Sequence, residues 1–107
     1  MAFDVRTVRE AVKQSRVVYR VHAIQRMFSR SISEAELVQA LDRAEVVEDY
    51  PDDKPYPSAL LLGFTDQGRP LHVACAVDEK GRLIIITVYE PDTARWERDW
   101  KMRRRRP

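Results

Sequence analysis

A chain of 107 residues, 44% apolar and 34% charged, fits one domain around one core. No apolar run approaches the ~20 residues that a membrane span needs; the lone cysteine, Cys75, excludes an internal disulfide, and Cys and His together are too few for structural zinc ligation. The net charge of +2 conceals segregation: Ser15 to Arg30 holds four arginines and no acid, Glu45 to Asp53 holds five acids and no base, and the chain ends WKMRRRRP, so local potential rather than the sum will attract an anionic partner.

An N-terminus charged from Asp4 onward does not read as a signal peptide, and the expected location is cytoplasmic. Asp4 caps a first helix, with Val5, Val8 and Val12 on one face. RVVYRV, Arg16 to Val21, is β-branched and aromatic and leans extended. From His22 the pattern turns helical. Val21, Ile24, Met27 and Phe28 form an apolar stripe, and His22, Arg26 and Arg30, spaced every four residues, lie on roughly the opposite side. Ser33, with Glu36 three residues later, is a capping box and opens a helix whose apolar face is Leu37, Val38 and Leu41. EVVEDY reads as a short strand. PDDKPYP, with three prolines in seven residues, reads as a loop.

ALLLGF, PLHVACAV and RLIIITVY then predict three strands joined by the turn sequences TDQGR and DEKG, a meander of antiparallel neighbours. DTARWERDWKMRR, with Trp96 and Trp100 four apart, predicts a short helix or a tail. The class is α+β: two to three N-terminal helices on one face of a three- to four-stranded antiparallel sheet. The expected organisation is a single domain over residues 1–107 with a basic tail from Lys101.

The turns set a register. DEKG pairs Val77 with Arg82, which puts His72 opposite Thr87, with Tyr89 two residues on. TDQGR allows two arrangements: a three-residue loop sets His72 opposite Leu62, and a two- or four-residue loop sets it opposite Gly63. The second gathers Leu60, Leu62, Phe64, Leu71, Val73, Cys75, Ile84, Ile86 and Val88 on one face, and register follows the arrangement that buries a face. The other face then offers small residues and room, lined by His72, Thr87 and Tyr89. A strand histidine serves equally well as a hydrogen-bonded residue, and Tyr89 as a cross-strand packing residue. The His22–Arg26–Arg30 stripe also has two readings. It either pairs with Glu34, Glu36 or the acidic EDYPDD loop, or it faces a phosphate.

HAIQRMFSRSIS, PLHVACAV and ITVYEPDTARWERD together resemble a small bacterial family, the domain of unknown function 4258. Its pattern H-A-x-x-R-M-x-x-R-x-I-S is followed by a meander ending in T-V-Y-x-P. The match covers roughly Val18 to Arg104. A glycine often follows the second arginine of the pattern; Ser31 stands there in this chain and is expected to loosen the helix stop. The family is similar in turn to the RelE, MqsR and BrnT toxins of bacterial toxin–antitoxin pairs, compact folds of helices on an antiparallel sheet, many of which cleave RNA without a metal. The resemblance implies a toxin of a type II pair, a metal-independent endoribonuclease acting on mRNA, free or on the ribosome. It implies a cognate antitoxin as partner, a zinc-finger protein for many relatives.

Such cleavage needs a base for the 2′-hydroxyl proton, an acid for the leaving oxygen and cations on the phosphate. Histidine titrates near neutrality and arginine binds phosphate through a planar fork. His72 is therefore the expected base or acid and His22 a second proton-transfer or orienting group. Arg26 and Arg30 are expected on the phosphate, Tyr89 on a base or sugar, and Arg103, Arg104 and Arg105 on further phosphates. No metal or other cofactor is expected. The alternative is a non-catalytic nucleic-acid- or protein-binding module of the same fold, or an accessory domain with no site.

Overall fold

The computed structural model describes residues 3–104. Asp4 caps α1 (Val5–Lys13), its carboxylate accepting from the Arg6 amide at 2.9 Å. There follow β1 (Val17–Tyr19), α2 (Val21–Ser29), α3 (Glu34–Asp42), β2 (Glu45–Tyr50), β3 (Ser58–Phe64), β4 (Pro70–Val77) and β5 (Leu83–Tyr89). The capping box of α3 is complete: Ser33 Oγ accepts from the Glu36 amide at 3.1 Å and Glu36 Oε1 accepts from the Ser33 amide at 3.0 Å. Both α1 and α2 stop on a left-handed serine, Ser15 at φ 57° and Ser31 at φ 55°. Backbone bonds from Arg16 to Ala11 and from Ile32 to Met27 close these ends, an arrangement that glycine usually serves. Ser31 thus keeps the helix stop rather than loosening it; what it lacks is glycine's ease at positive φ.

The fold is α+β, and the sheet has five strands in the order β1-β5-β4-β3-β2. Strands β2 to β5 are antiparallel neighbours, while β1 runs parallel to β5. The sheet is therefore mixed, and larger than the three- to four-stranded antiparallel one expected. Parallel pairing needs a long crossover, so the partner of RVVYRV is far away in sequence and no local turn announces it. The helices cover one face, where Val8, Ala23, Met27, Leu37 and Leu41 meet Leu61, Leu71, Val73, Cys75, Leu83, Ile85 and Val88. Gly63 permits the closest approach. A Cβ there would lie 1.9 Å from the Ala40 carbonyl oxygen, so α3 rests on the β3 backbone itself.

The register departs from expectation at both turns. TDQGR makes the three-residue loop, with Gly68 at φ 81° and the Thr65 amide bonded to Arg69 O at 2.9 Å, so His72 faces Leu62 and not Gly63. Leu61 and Gly63, rather than Leu60, Leu62 and Phe64, then meet the helices, and Phe64 is exposed. At the other turn Val77 pairs with Leu83, not Arg82, and an irregularity between Ala74 and Cys75 adds a second one-residue shift. Either shift alone would turn β5 over. Together they restore the faces beyond the irregularity, where His72 lies opposite Tyr89 and Ala74 opposite Thr87. His72, Thr87 and Tyr89 share a face, as expected. Between turn and irregularity the faces are exchanged: Leu83 and Ile85 are buried where Ile84 and Ile86 were expected, and those two are only partly covered.

Two further elements differ. In α2 the buried residues are Ala23 and Met27, whereas Val21, Ile24 and Phe28 are exposed, Phe28 by 87%. The contact side of α2 is narrow, with the arginine stripe on one flank and an apolar ridge on the other. Residues 90–104 form turns and a short bridge between Trp96 and Arg103, not a helix. This strap crosses the sheet face that the helices leave open. Lys101 Nζ lies 3.0 Å from Glu45, and Arg103 grips Glu48 with two N–H bonds of 2.8 and 3.1 Å. The acidic block and the basic block of the sequence are partners in the fold.

Candidate functional site

His72 lies beneath the strap with no exposed surface. The Trp96 ring meets it edge to face at 4.4 Å, and Tyr89 does the same at 5.2 Å. Its Nε2 lies 2.6 Å from the Trp100 carbonyl oxygen. A carbonyl only accepts, so Nε2 carries a proton. Nδ1, 3.1 Å from the Tyr89 hydroxyl, is then the acceptor of the neutral ring, and the phenol donates to it. Burial lowers the His72 pKa, against the opposing pull of the Trp100 carbonyl and of Glu48. This imidazole is neutral, with both nitrogens bonded.

Tyr89 carries the connection outward. It is half-buried and lines an open cleft of about 590 Å³ whose cationic walls are Arg30, Arg69, Arg95 and Arg103. Burial pushes its phenol pKa up, while Arg103, Arg30 and Arg95 pull it down. Glu90 and Asp92 add carboxylates to the rim.

The arginines divide by what they already hold. Arg30 donates to the Val88 carbonyl at 2.8 Å, and Arg26 reaches Thr87 Oγ1 at 3.5 Å. Among the described residues neither forms a salt bridge, so the pairing with Glu34, Glu36 or the acidic loop does not occur. Arg103 is bound to Glu48 and lies 4.8 Å over the Trp96 ring. Its guanidinium holds the Glu48 carboxyl below the usual range. Arg104 donates to Thr93 O at 2.6 Å and to Glu97 at 3.3 Å. Arg103 and Arg104 therefore belong to the folded strap rather than to a free basic tail, and Arg105 lies outside the described residues. His22 is exposed on α2 and does not line the cleft.

Arg69 was missed by sequence reasoning. It bonds Glu90 Oε1 at 2.7 Å, Ser31 O at 2.9 Å, Arg30 O at 3.0 Å and Glu36 Oε2 at 3.2 Å. One guanidinium thus fastens the end of α2, the cap of α3 and the end of β5, and so fixes Arg30 beside Tyr89. Nothing local marks it, because it follows an ordinary turn and all its partners are distant. Trp96 had a signal, an aromatic residue in a charged segment, but its burial on His72 did not follow from that.

A small α+β domain with a buried, neutral histidine backing a tyrosine in an arginine-walled cleft is thereby defined. A family model, that of the domain of unknown function 4258, matches residues 19–90, and the chain belongs to that family. No curated protein and no solved structure matches it.

Proposed function

We propose that the cleft binds a phosphodiester of single-stranded RNA and that the protein cleaves it without a metal, as the toxin of a type II toxin–antitoxin pair acting in the cytoplasm. The observation that carries this reading is Tyr89, which lines the cleft and donates its hydroxyl to the neutral His72 Nδ1. As the 2′-hydroxyl attacks phosphorus, its proton passes to Tyr89 Oη and the phenol proton passes to His72 Nδ1. The 2′-O–P bond forms, the P–O5′ bond breaks, and the 5′-oxygen takes a proton from water at the open rim; the hydroxide left there is neutralised when the imidazolium returns its proton through Tyr89. The imidazolium keeps its Nε2–H on the Trp100 carbonyl, with Glu48 nearby to favour its charge. Arg30 and Arg95 hold the phosphate as charge builds; Arg26, four residues before Arg30 on α2, extends the track. His72 acts through Tyr89 and is a positioning residue.

The test is purified protein with cellular RNA, with and without translating ribosomes, in the presence of a chelator. Cleavage should leave cyclic phosphate ends. Tyr89→Phe should slow it by ~10²–10⁴-fold and Arg30→Ala by ~10²–10³-fold, with the circular dichroism spectrum unchanged. One observation favours a second reading. His72 has no exposed surface and no free nitrogen, as in a residue kept for structure, so the same cleft would serve a module that holds RNA without cutting it. Intact RNA in both settings, harmless expression and unaltered RNA affinity in Tyr89→Phe would establish that module instead.

A further inference from the structure

We propose that the outer edge of β1 and the apolar ridge of α2 form one docking surface for an acidic, extended segment of a second protein. The surface lies on the flank of α2 away from Arg26 and Arg30, so it stands independently of the RNA reading.

The edge comes first. β1 ends the sheet. At its two ends Arg16 O accepts from the Leu83 amide and the Arg20 amide donates to Ile85 O, both toward β5. Backbone groups alternate along a strand, so those of Val17 and Tyr19 point outward, where the sheet has no further strand. The side chains alternate too: Arg16, Val18 and Arg20 share one face, and all three are exposed. A strand added here would meet an Arg–Val–Arg row.

The ridge lies beside it. Val21, Ile24 and Phe28 recur at i, i+3 and i+7 and are 67, 54 and 87% exposed. Tyr19 belongs to both parts. With Ile24, Met27, Phe28, Ile32 and the Glu34 carboxylate it lines a groove of about 300 Å³, and burial, with that carboxylate beside it, pushes the Tyr19 phenol pKa up. Exposed aromatic and aliphatic side chains beside a pocket are the usual anchors of an interface.

Charge selects the occupant. A second copy pairing antiparallel about Val18 would set Arg16 against Arg20 twice, and like charges directly opposite destabilise a ladder. A strand of pattern Glu–x–apolar–x–Glu sets a carboxylate against each arginine and an apolar side chain against Val18. Backbone bonds supply affinity and the flanking side chains specificity, as in other strand-addition interfaces. An apolar residue following the second glutamate then reaches the groove.

The probe is a fluorescent peptide set of this pattern ending in Leu or Phe, compared with the same set carrying Lys for Glu, by anisotropy on the full chain. The acidic set should bind and the basic set should not. Phe28→Ser should weaken binding about tenfold, and Arg16→Glu with Arg20→Glu about threefold to tenfold, while the double reversal should take up the Lys set. All three residues are exposed, so the variants keep the wild-type dichroism. Equal binding of both sets, binding of neither, or a reversal that leaves the preference unchanged overturns the proposal. A concentration-dependent dimer in sedimentation that Phe28→Ser abolishes overturns it in favour of a second copy.

Discussion

The two faces of the sheet are assembled by different means. Against the helices, Leu61, Val73, Cys75 and Ile85 are buried in one apolar cluster, and burial shifts the Cys75 thiol up to about 12. Under the strap, one histidine, one tryptophan and one tyrosine meet edge to face, and ion pairs from Lys101 and Arg103 tie the cover down. The first face is held by apolar area, which is non-directional and tolerant of exact geometry. The second depends on directed bonds among a few groups, each of which leaves an unpaired partner when removed. One face makes the domain stable; the other holds the groups that can do chemistry.

The contrast can be broken from the helix side first. Leu61→Ala should cost about 3–5 kcal/mol, the transfer term plus the cavity, and Gly63→Ala about 2–3 kcal/mol as α3 is driven from Ala40. Both should appear in urea titrations as lowered midpoints at an unchanged slope. Under the strap, His72→Ala should cost about 2 kcal/mol, because it leaves the Tyr89 hydroxyl and the Trp100 carbonyl without their partner. A loss from His72→Ala as large as that from Leu61→Ala would erase the distinction.

Acid separates the imidazole from the carboxylates. Burial lowers the folded-state pKa of His72, so the unfolded chain binds its proton more readily. The stability this contributes is complete above the unfolded value of ~6.5 and is lost as pH falls from there to the folded pKa, with a slope of at most ~1.4 kcal/mol per pH unit. Glu36, Glu48 and Asp78 have folded pKa values held below the usual carboxylate range. Their contribution is present above ~4.5 and is lost only as pH falls further. Thermal midpoints measured from pH 8 to 3 should therefore fall in two stages, and His72→Leu should remove the first. A single stage in the wild type would mean that the imidazole is solvated.

Smaller effects sharpen the picture. Glu48→Gln should cost about 1 kcal/mol at low salt and less in molar salt, since the pair with Arg103 is partly exposed. Ser31→Gly should gain about 0.5–1 kcal/mol by relieving the left-handed serine while keeping the carbonyl that Arg69 binds. Both are read from thermal midpoints against the wild type.

Legibility followed the same division. The Asp4 cap, the Ser33–Glu36 box and the three meander strands are announced by neighbouring residues, and all are present. The face of His72 was reached through a register wrong at both turns, because two one-residue shifts cancel in parity. The core places of Leu83 and Ile85 were lost for the same reason: they lie between the shifts, where no cancellation operates. The exposed ridge of α2 does not follow from the sequence, because periodicity shows which residues share a side, not which side the sheet will cover. Arg69, the parallel β1 and the burial of Trp96 all rest on contacts between distant segments, which no local pattern carries.

The strap has a consequence for synthesis on the ribosome. The chain is made from the N-terminus, at roughly 5–20 residues per second, and everything that builds the helix-covered core precedes residue 90. Arg95, Trp96, Trp100 and Arg103 emerge afterwards. Until they do, the cleft lacks two of its four arginines, and the His72 ring has neither its lid nor the carbonyl that fixes its tautomer. The scaffold is complete in a chain that has emerged as far as residue 90, whereas the site is whole only once residue 103 has followed it.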